Sequence, residues 1–232
     1  MLPHVRESAD LMEVQVLTVG PVQENCYLLR SGPDAKKALL IDPGEEAPRI
    51  LEAIDALGVE LEAILLTHTH FDHVGAVAPI ARVTGAPVYC PELESHVLAD
   101  IMTYVPYEGI GPYESWEAEE FVGGGERLDL AGFEIEVFFT PGHSPGHVTY
   151  AFCDPDDADG GYVLASGDVL FQGSVGRTDL PGADHGELMR SLAMLADSFA
   201  DETTVLPGHM GITTLGHERA TNPFLQDLPS VS

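Results

Sequence analysis

The residues with the most chemical potential lie in one short stretch, Thr67-His68-Thr69-His70-Phe71-Asp72-His73, which packs three imidazoles and a carboxylate side by side. Neutral imidazoles and carboxylates are good ligands for divalent metals, and this spacing lets them turn toward shared ions. The apolar run Ala63-Ile64-Leu65-Leu66 precedes the cluster. Such a run reads as a buried strand, so the cluster sits on the loop at that strand's C-terminal end. The competing reading is a polar loop with three solvated histidines. It gives way because matching partners occur downstream: Thr140-Pro141-Gly142-His143-Ser144-Pro145-Gly146-His147, Ala165-Ser166-Gly167-Asp168-Val169-Leu170-Phe171, and Leu206-Pro207-Gly208-His209. Each follows its own apolar run, Ile135 to Phe139, Tyr162 to Ala165 and Thr203 to Leu206. Four ligand-bearing loops therefore leave four strands in the same sense.

With these motifs in this order the chain resembles the metallo-beta-lactamase superfamily, whose binuclear members carry a HxHxDH motif followed by a His, a bridging Asp and a last His. The resemblance implies His68, His70 and His143 on a first metal, Asp72, His73 and His209 on a second, and Asp168 between them. It implies a four-layer αββα sandwich of mixed α/β class. His147 lies four residues past His143, but the expected set is complete without it, so it reads as a hydrogen-bonding support.

The segments between the motifs supply the scaffold. Val14–Val19, Asn25–Arg30 and Ala38–Ile41 alternate and are separated by Gly20-Pro21 and Ser31-Gly32-Pro33-Asp34, which predicts a β-meander. Asp42-Pro43-Gly44 ends it, either as a plain turn or as outer support for the metal site. Ile50, Leu51, Ile54 and Leu57 share one helical face over residues 46–57, with Pro48 in the first turn and Gly58 past the end. A second helix is expected over residues 74–84, a strand over 86–90, a hairpin of 126–130 with 133–139, and an amphipathic helix over 185–199. Residues 100–124, with Tyr104, Tyr107, Tyr113 and Trp116 among prolines and glycines, read as a lid over a substrate cleft, against the alternative of a surface excursion pinned by its own rings. Residues 1–12 read as an irregular arm, and 154–161 as an exposed turn and no calcium loop. His4, His96, His185 and His217 read as ordinary surface or capping residues.

The chain's 232 residues fit one domain, 1–232, and its 44% hydrophobic content is enough for a core without disulfides. Cys26, Cys90 and Cys153 are odd in number and widely spaced, which reads as buried small side chains. No apolar run approaches membrane-spanning length, and the first residues lack a basic segment followed by an apolar one, so the expectation is a cytoplasmic, unexported protein. The formal net charge of -28 repels nucleic acid and anionic membranes, which leaves a small-molecule substrate as the partner.

Two divalent ions sharing a water lower its pKa toward neutrality and direct it as hydroxide at a carbonyl. Asp72 is then both a ligand and the group that accepts or orients the proton. His, Asp and water donors suit zinc first, with iron and manganese compatible. The segment Gly176-Arg177-Thr178-Asp179 and the ending Gly216 to Leu225 resemble the short, glyoxalase II-like branch of bacterial metallohydrolases. That likeness implies thioester hydrolysis, with Arg177 holding an anionic substrate. The chain departs from hydroxyacylglutathione hydrolases in lacking tyrosines near Asp179 and after His209, and in lacking their C-terminal helical extension. A second reading follows from the same segment. Persulfide dioxygenases share it and resemble a one-iron site built at the positions of His68, His143 and Asp168, or with His70 in place of one of these. A third, a metal-bearing interaction module, fits poorly because structural metal sites are closed and this donor set leaves open positions.

Overall fold

In the computed structural model, residues 12–153, 161–226 and 228 are described. The readings of an N-terminal arm, of His4 and of an exposed turn at 154–161 fall wholly or mostly outside them.

The first sheet runs in chain order: β1 (Glu13–Val19), β2 (Glu24–Arg30), β3 (Lys37–Ile41), β4 (Glu60–Leu65), β5 (Val88–Pro91) and β6 (Glu120–Val122). Strands β1 to β3 pair antiparallel as the expected meander, and β3 to β6 pair in parallel. The parallel strands need crossovers, which helices supply. The next strands are β7 (Arg127–Leu130), β8 (Phe133–Phe139), β9 (Val148–Cys153) and β10 (Tyr162–Gly167), then a separate hairpin of β11 (Leu170–Phe171) and β12 (Ser174–Val175), then β13 (Thr204–Pro207) and β14 (Thr213–Thr214). The second sheet has the order β14-β13-β10-β9-β8-β7. Since β8, β9 and β10 alternate in direction and β13 lies parallel to β10, the strands β8, β10 and β13 point the same way. All three therefore deliver their ligand-bearing loops to one end of the sheet.

Both faces of the first sheet are buried, which is why Ala38–Ile41 and Ala63–Leu66 read as unbroken apolar runs. Tyr27, Leu29, Leu39, Ile41 and Leu65 face the second sheet, meeting Phe133, Ile135, Val137, Tyr150 and Phe152. Leu28, Leu40 and Ile64 face outward onto α1 (Ala47–Leu57) and α3 (Val77–Thr84) through Ile50, Ile54, Val77 and Ile80. On the far side Leu164 and Val205 meet Leu188, Leu192 and Leu195 of α6 (His185–Ser198). Helix, sheet, sheet and helix make the four layers.

Local signals explain most boundaries. Helix α1 has Pro in its first turn and ends where Gly58 adopts φ 64, with its amide bonded to Asp55 O. Helix α6 starts at Asp184, whose side chain accepts from Glu187 N. Ala131 and Gly132 both have positive φ and form the tight turn between β7 and β8. The helix expected over 74–84 is instead two pieces, α2 (Phe71–Val74) and α3. The amide of Ala76 bonds to Pro43 O at 2.9 Å, and a Cβ on Gly75 would lie 2.4 Å from Gly44 O. The metal loop thus packs against the Asp42-Pro43-Gly44 turn at the cost of one helical turn. Beyond these, α4 (Ser95–Ala99) and α5 (Ile101–Tyr104) precede the aromatic loop, and α7 (Leu215–Thr221) and α8 (Pro223–Gln226) follow β14. Cys26 and Cys90 are buried, and none of the three cysteines forms a disulfide. No described helix is long and apolar enough to cross a membrane.

Candidate metal centre

The ligand ends of the two sheets are tied to each other directly. Asn25 N bonds to Gly208 O at 2.8 Å, Tyr27 Oη to Pro207 O at 2.7 Å, Val148 N to Thr67 O at 2.8 Å and Tyr150 Oη to Leu66 O at 3.0 Å. These contacts bring loops distant in sequence to one floor.

On that floor the predicted residues fall into two clusters. Ligand atoms of His68, His70 and His143 lie within 4.8 Å of one another, as do those of Asp72, His73 and His209. In the first, His68 Nε2 is 3.1 Å from His70 Nδ1, which is 2.8 Å from His143 Nε2. Asp168 touches both clusters: Oδ1 is 3.4 Å from His73 Nε2, and Oδ2 is 3.4 Å from His143 Nε2 and 3.6 Å from His209 Nε2. His73 Nε2 and Asp168 Oδ1 are buried with no hydrogen-bond partner. Buried orphans of this kind demand an explanation, and converging lone pairs on imidazole and carboxylate fit divalent cations.

The outer hydrogen bonds assign the tautomers. His143 Nδ1 donates to Arg177 O at 2.9 Å, and His73 Nδ1 to Asp42 Oδ2 at 3.1 Å, so that in each neutral ring Nε2 is the nitrogen left for a metal. Thr67 Oγ1 donates to Asp42 Oδ2 at 2.6 Å, so it accepts from His68 Nδ1 at 3.1 Å, and His68 Nε2 is likewise free. Asp42 also accepts from Thr67 N at 2.8 Å. The tripeptide that could have been a plain turn is therefore the anchor for one imidazole in each cluster. His147, as expected, is a support: Nδ1 pairs with Thr140 Oγ1 at 2.9 Å and Nε2 accepts from Asp168 N at 3.1 Å.

Electrostatics divide the clusters. Burial, followed by repulsion from His73, holds His68 well below the ordinary imidazole range. Burial and then His143 bring His70 down to about 4. At His73 and His209 burial also opposes protonation, but the carboxylates of Asp168 and Asp72 outweigh it and both are raised. Burial would raise Asp72 and Asp168; the neighbouring imidazoles, His73 foremost, reverse this and hold both carboxylates ionised.

Two carboxylates escaped the sequence reading. Glu94, buried, accepts from Thr69 N at 2.9 Å and Gly146 N at 2.7 Å, clamping two ligand loops together. Glu24 is fully buried 3.9 Å from His73 Nδ1, and burial pushes its carboxyl well above the usual range. Neither carries a local signal, since their partners are distant in sequence.

The centre opens into a cleft of about 680 Å³. Its walls are largely apolar, with Phe71, Ile101, Tyr104, Tyr107, Phe171 and Leu180, and among the described residues Arg177 is the only lysine or arginine on them. The fork of Arg177 closes on Asp179 at 2.6 and 2.8 Å. The aromatic loop divides between its two readings. Tyr104 and Tyr107 wall the cleft, whereas Tyr113 stacks on Phe71 and donates to Glu45, and Trp116 Nε1 pairs with Glu119 at 3.3 Å. His96 is exposed, as the surface reading expects, and also lines the cleft, edge-on to Tyr104. His185 and His217 are exposed, on α6 and α7.

The sequence profile of the metallo-beta-lactamase superfamily matches residues 19–209, and the chain belongs to that family. It is 34% identical over 216 residues to the hydroxyacylglutathione hydrolase GloC of Haemophilus influenzae, covering 92% of this chain and 98% of that one. Among solved structures it is similar to the B3 metallo-beta-lactamase BLEG-1 (TM-score 0.83, 38% identity, 92% and 99% coverage). It is also similar to TTHA1623 in a di-iron-bound form (TM-score 0.70, 43% identity, 91% and 100% coverage).

Proposed function

We propose that this protein is a binuclear metallohydrolase that cleaves a small anionic thioester, an activity of the glyoxalase II type. The observation that carries the proposal is Asp168, whose carboxylate touches both donor clusters at the floor of a cleft with one guanidinium on its wall. His68, His70 and His143 would hold one ion, Asp72, His73 and His209 the other, and Asp168 both. Ions so held supply Lewis acidity and a water nucleophile available at neutral pH.

The chain's own residues do the rest. Asp72, ionised and 3.4 Å from His209 Nε2, is the acceptor that orients the proton of the attacking water. Phe71, Tyr107 and Phe171 give the cleft apolar surface, and a substrate seated against them displaces water and strengthens the charge interactions inside it. Arg177 at the wall pairs with an anionic substituent of the substrate, in competition with Asp179. Among the described residues no lysine lines the cleft to protonate a leaving group. A thiol has a pKa of about 8.5 and departs as thiolate without one, whereas the amine released from an amide does not. This favours a thioester over a lactam, and the GloC relative supports it. Zinc is the first expectation for both ions, with iron also compatible, as in the di-iron form of TTHA1623.

The second reading, a one-iron persulfide dioxygenase on His68, His143 and Asp168, leaves the Asp72, His73 and His209 cluster without a role. That intact second cluster favours the hydrolase. The test is a thioester panel, S-lactoylglutathione included, followed by release of free thiol from metal-loaded protein. Turnover that is lost to a chelator and restored by metal is expected. Oxygen uptake on glutathione persulfide without thioester cleavage would instead establish the dioxygenase.

A further inference from the structure

One wall of the cleft is built by residues 170–182, including Phe171, Val175, Arg177 and Leu180. This segment begins two residues after Asp168, and its Arg177 carbonyl receives His143 Nδ1. It is so close to the metal floor that a Cβ on Gly176 would fall 1.9 Å from Asp168 O. Yet its only ladder is β11 with β12, two pairs of residues belonging to neither large sheet. A two-stranded ribbon of that length does not hold its shape unaided.

What holds it comes from the C-terminal motif, which the metal chemistry leaves unused. Glu218 and Asn222, on and just after α7, are both fully buried. Glu218 Oε2 accepts from Gly173 N at the ribbon's turn at 2.8 Å, and Oε1 accepts from Thr213 Oγ1 at 2.6 Å. Asn222 Nδ2 donates to Phe171 O at 3.3 Å, to Ser174 O at 3.0 Å and to Glu218 Oε2 at 2.8 Å. The turn amide and one carbonyl on each strand of the ribbon are thus satisfied by two side chains from behind it.

We infer that Glu218 and Asn222 are positioning residues for the active site. They brace the 170–177 ribbon so that the Arg177 carbonyl stays on His143 and the cleft wall keeps its place. The brace serves the centre whatever acyl group or thiol the substrate carries, and its test needs no substrate. In metal-loaded protein, amide hydrogen exchange over 170–177 and metal affinity by chelator competition are measured for Glu218→Ala, Glu218→Gln and Asn222→Asp. Ile54→Ala, in α1 on the far helical layer, serves as the control for general destabilisation.

Glu218→Ala should speed exchange across the ribbon and weaken the ion at His68, His70 and His143 about tenfold, the usual scale for outer supports of a metal ligand. Asn222→Asp turns an acceptor toward two carbonyls at unchanged size and should do the same. Glu218→Gln keeps an acceptor for Gly173 N, and the Thr213 hydroxyl can turn to accept from its amide, so both readouts should return most of the way to wild type. Ile54→Ala should lower Tm and leave both alone. Wild-type exchange and affinity in Glu218→Ala and Asn222→Asp would overturn the inference, as would equal changes in Ile54→Ala.

Discussion

Asp42→Asn isolates the part of the centre that lies outside the ligands. Asp42 is almost wholly buried and accepts three hydrogen bonds, from Thr67 N, Thr67 Oγ1 and His73 Nδ1. The amide has the same size and keeps one acceptor, which stays with Thr67 N. Its NH2 then faces the other two partners. Thr67 can turn its hydroxyl to accept, but that hydroxyl then donates to His68 Nδ1 and forces the proton of His68 onto Nε2. His73 must shift its proton to Nε2 for the same reason. Both partners can reverse polarity, so the fold survives and the penalty appears in metal binding. Loss of such an outer support costs about 10- to 100-fold in affinity, or about 1.4–2.8 kcal/mol, and here it acts once in each cluster. Chelator competition would read the affinities of both sites, and nitrogen-15 shifts of the imidazoles in metal-stripped protein would read the tautomers. Wild-type affinities together with an Nδ1 proton on His68 in the variant would refute the reasoning.

Acidification should empty the two clusters in a fixed order. His70 and His68 are held low and stay neutral imidazoles near neutrality, whereas His73 and His209 are raised and take up a second proton that a metal must displace. Dialysis from about pH 8 to about pH 5.5 should therefore release the ion at Asp72, His73 and His209 first, leaving close to one per chain by elemental analysis; simultaneous loss of both would contradict this. Arg177→Ala should raise KM for an anionic thioester by more than it lowers kcat and leave a neutral thioester unaffected; an unchanged KM would remove Arg177 from the site. Gly208→Ala would put a methyl 2.3 Å from Asp168 Oδ1 and 2.7 Å from His73 Cε1. Overpacking there should cost about 1–3 kcal/mol in thermal unfolding and abolish metal retention, and a variant that keeps its metal would disprove the close fit.

The grouping of the seven candidate donors was legible because each follows a strand whose apolar run announces itself, and because imidazoles grouped after such strands make apt metal ligands. Helix α1 was legible from Pro48 and Gly58, and α6 from its leucine stripe. Contacts between distant segments were not legible. Nothing near Glu94 announces Thr69 or Gly146, and nothing near Asp42 announces Thr67, 25 residues away. The break between α2 and α3 has the same origin, since a carbonyl from Pro43 draws the Ala76 amide out of the helix. The motif around Glu218 and Asn222 stood out as a resemblance, but its work is done on a ribbon some 45 residues earlier in the chain.

The central claim is that one carboxylate, Asp168, joins two metal sites. Elemental analysis of untagged, unchelated protein beside Asp168→Ala tests it directly. Close to two ions per chain in the wild type, falling to one or none in the variant with loss of activity, is the predicted result. A single ion per chain in the wild type, or a variant that keeps two ions and full activity, would contradict it.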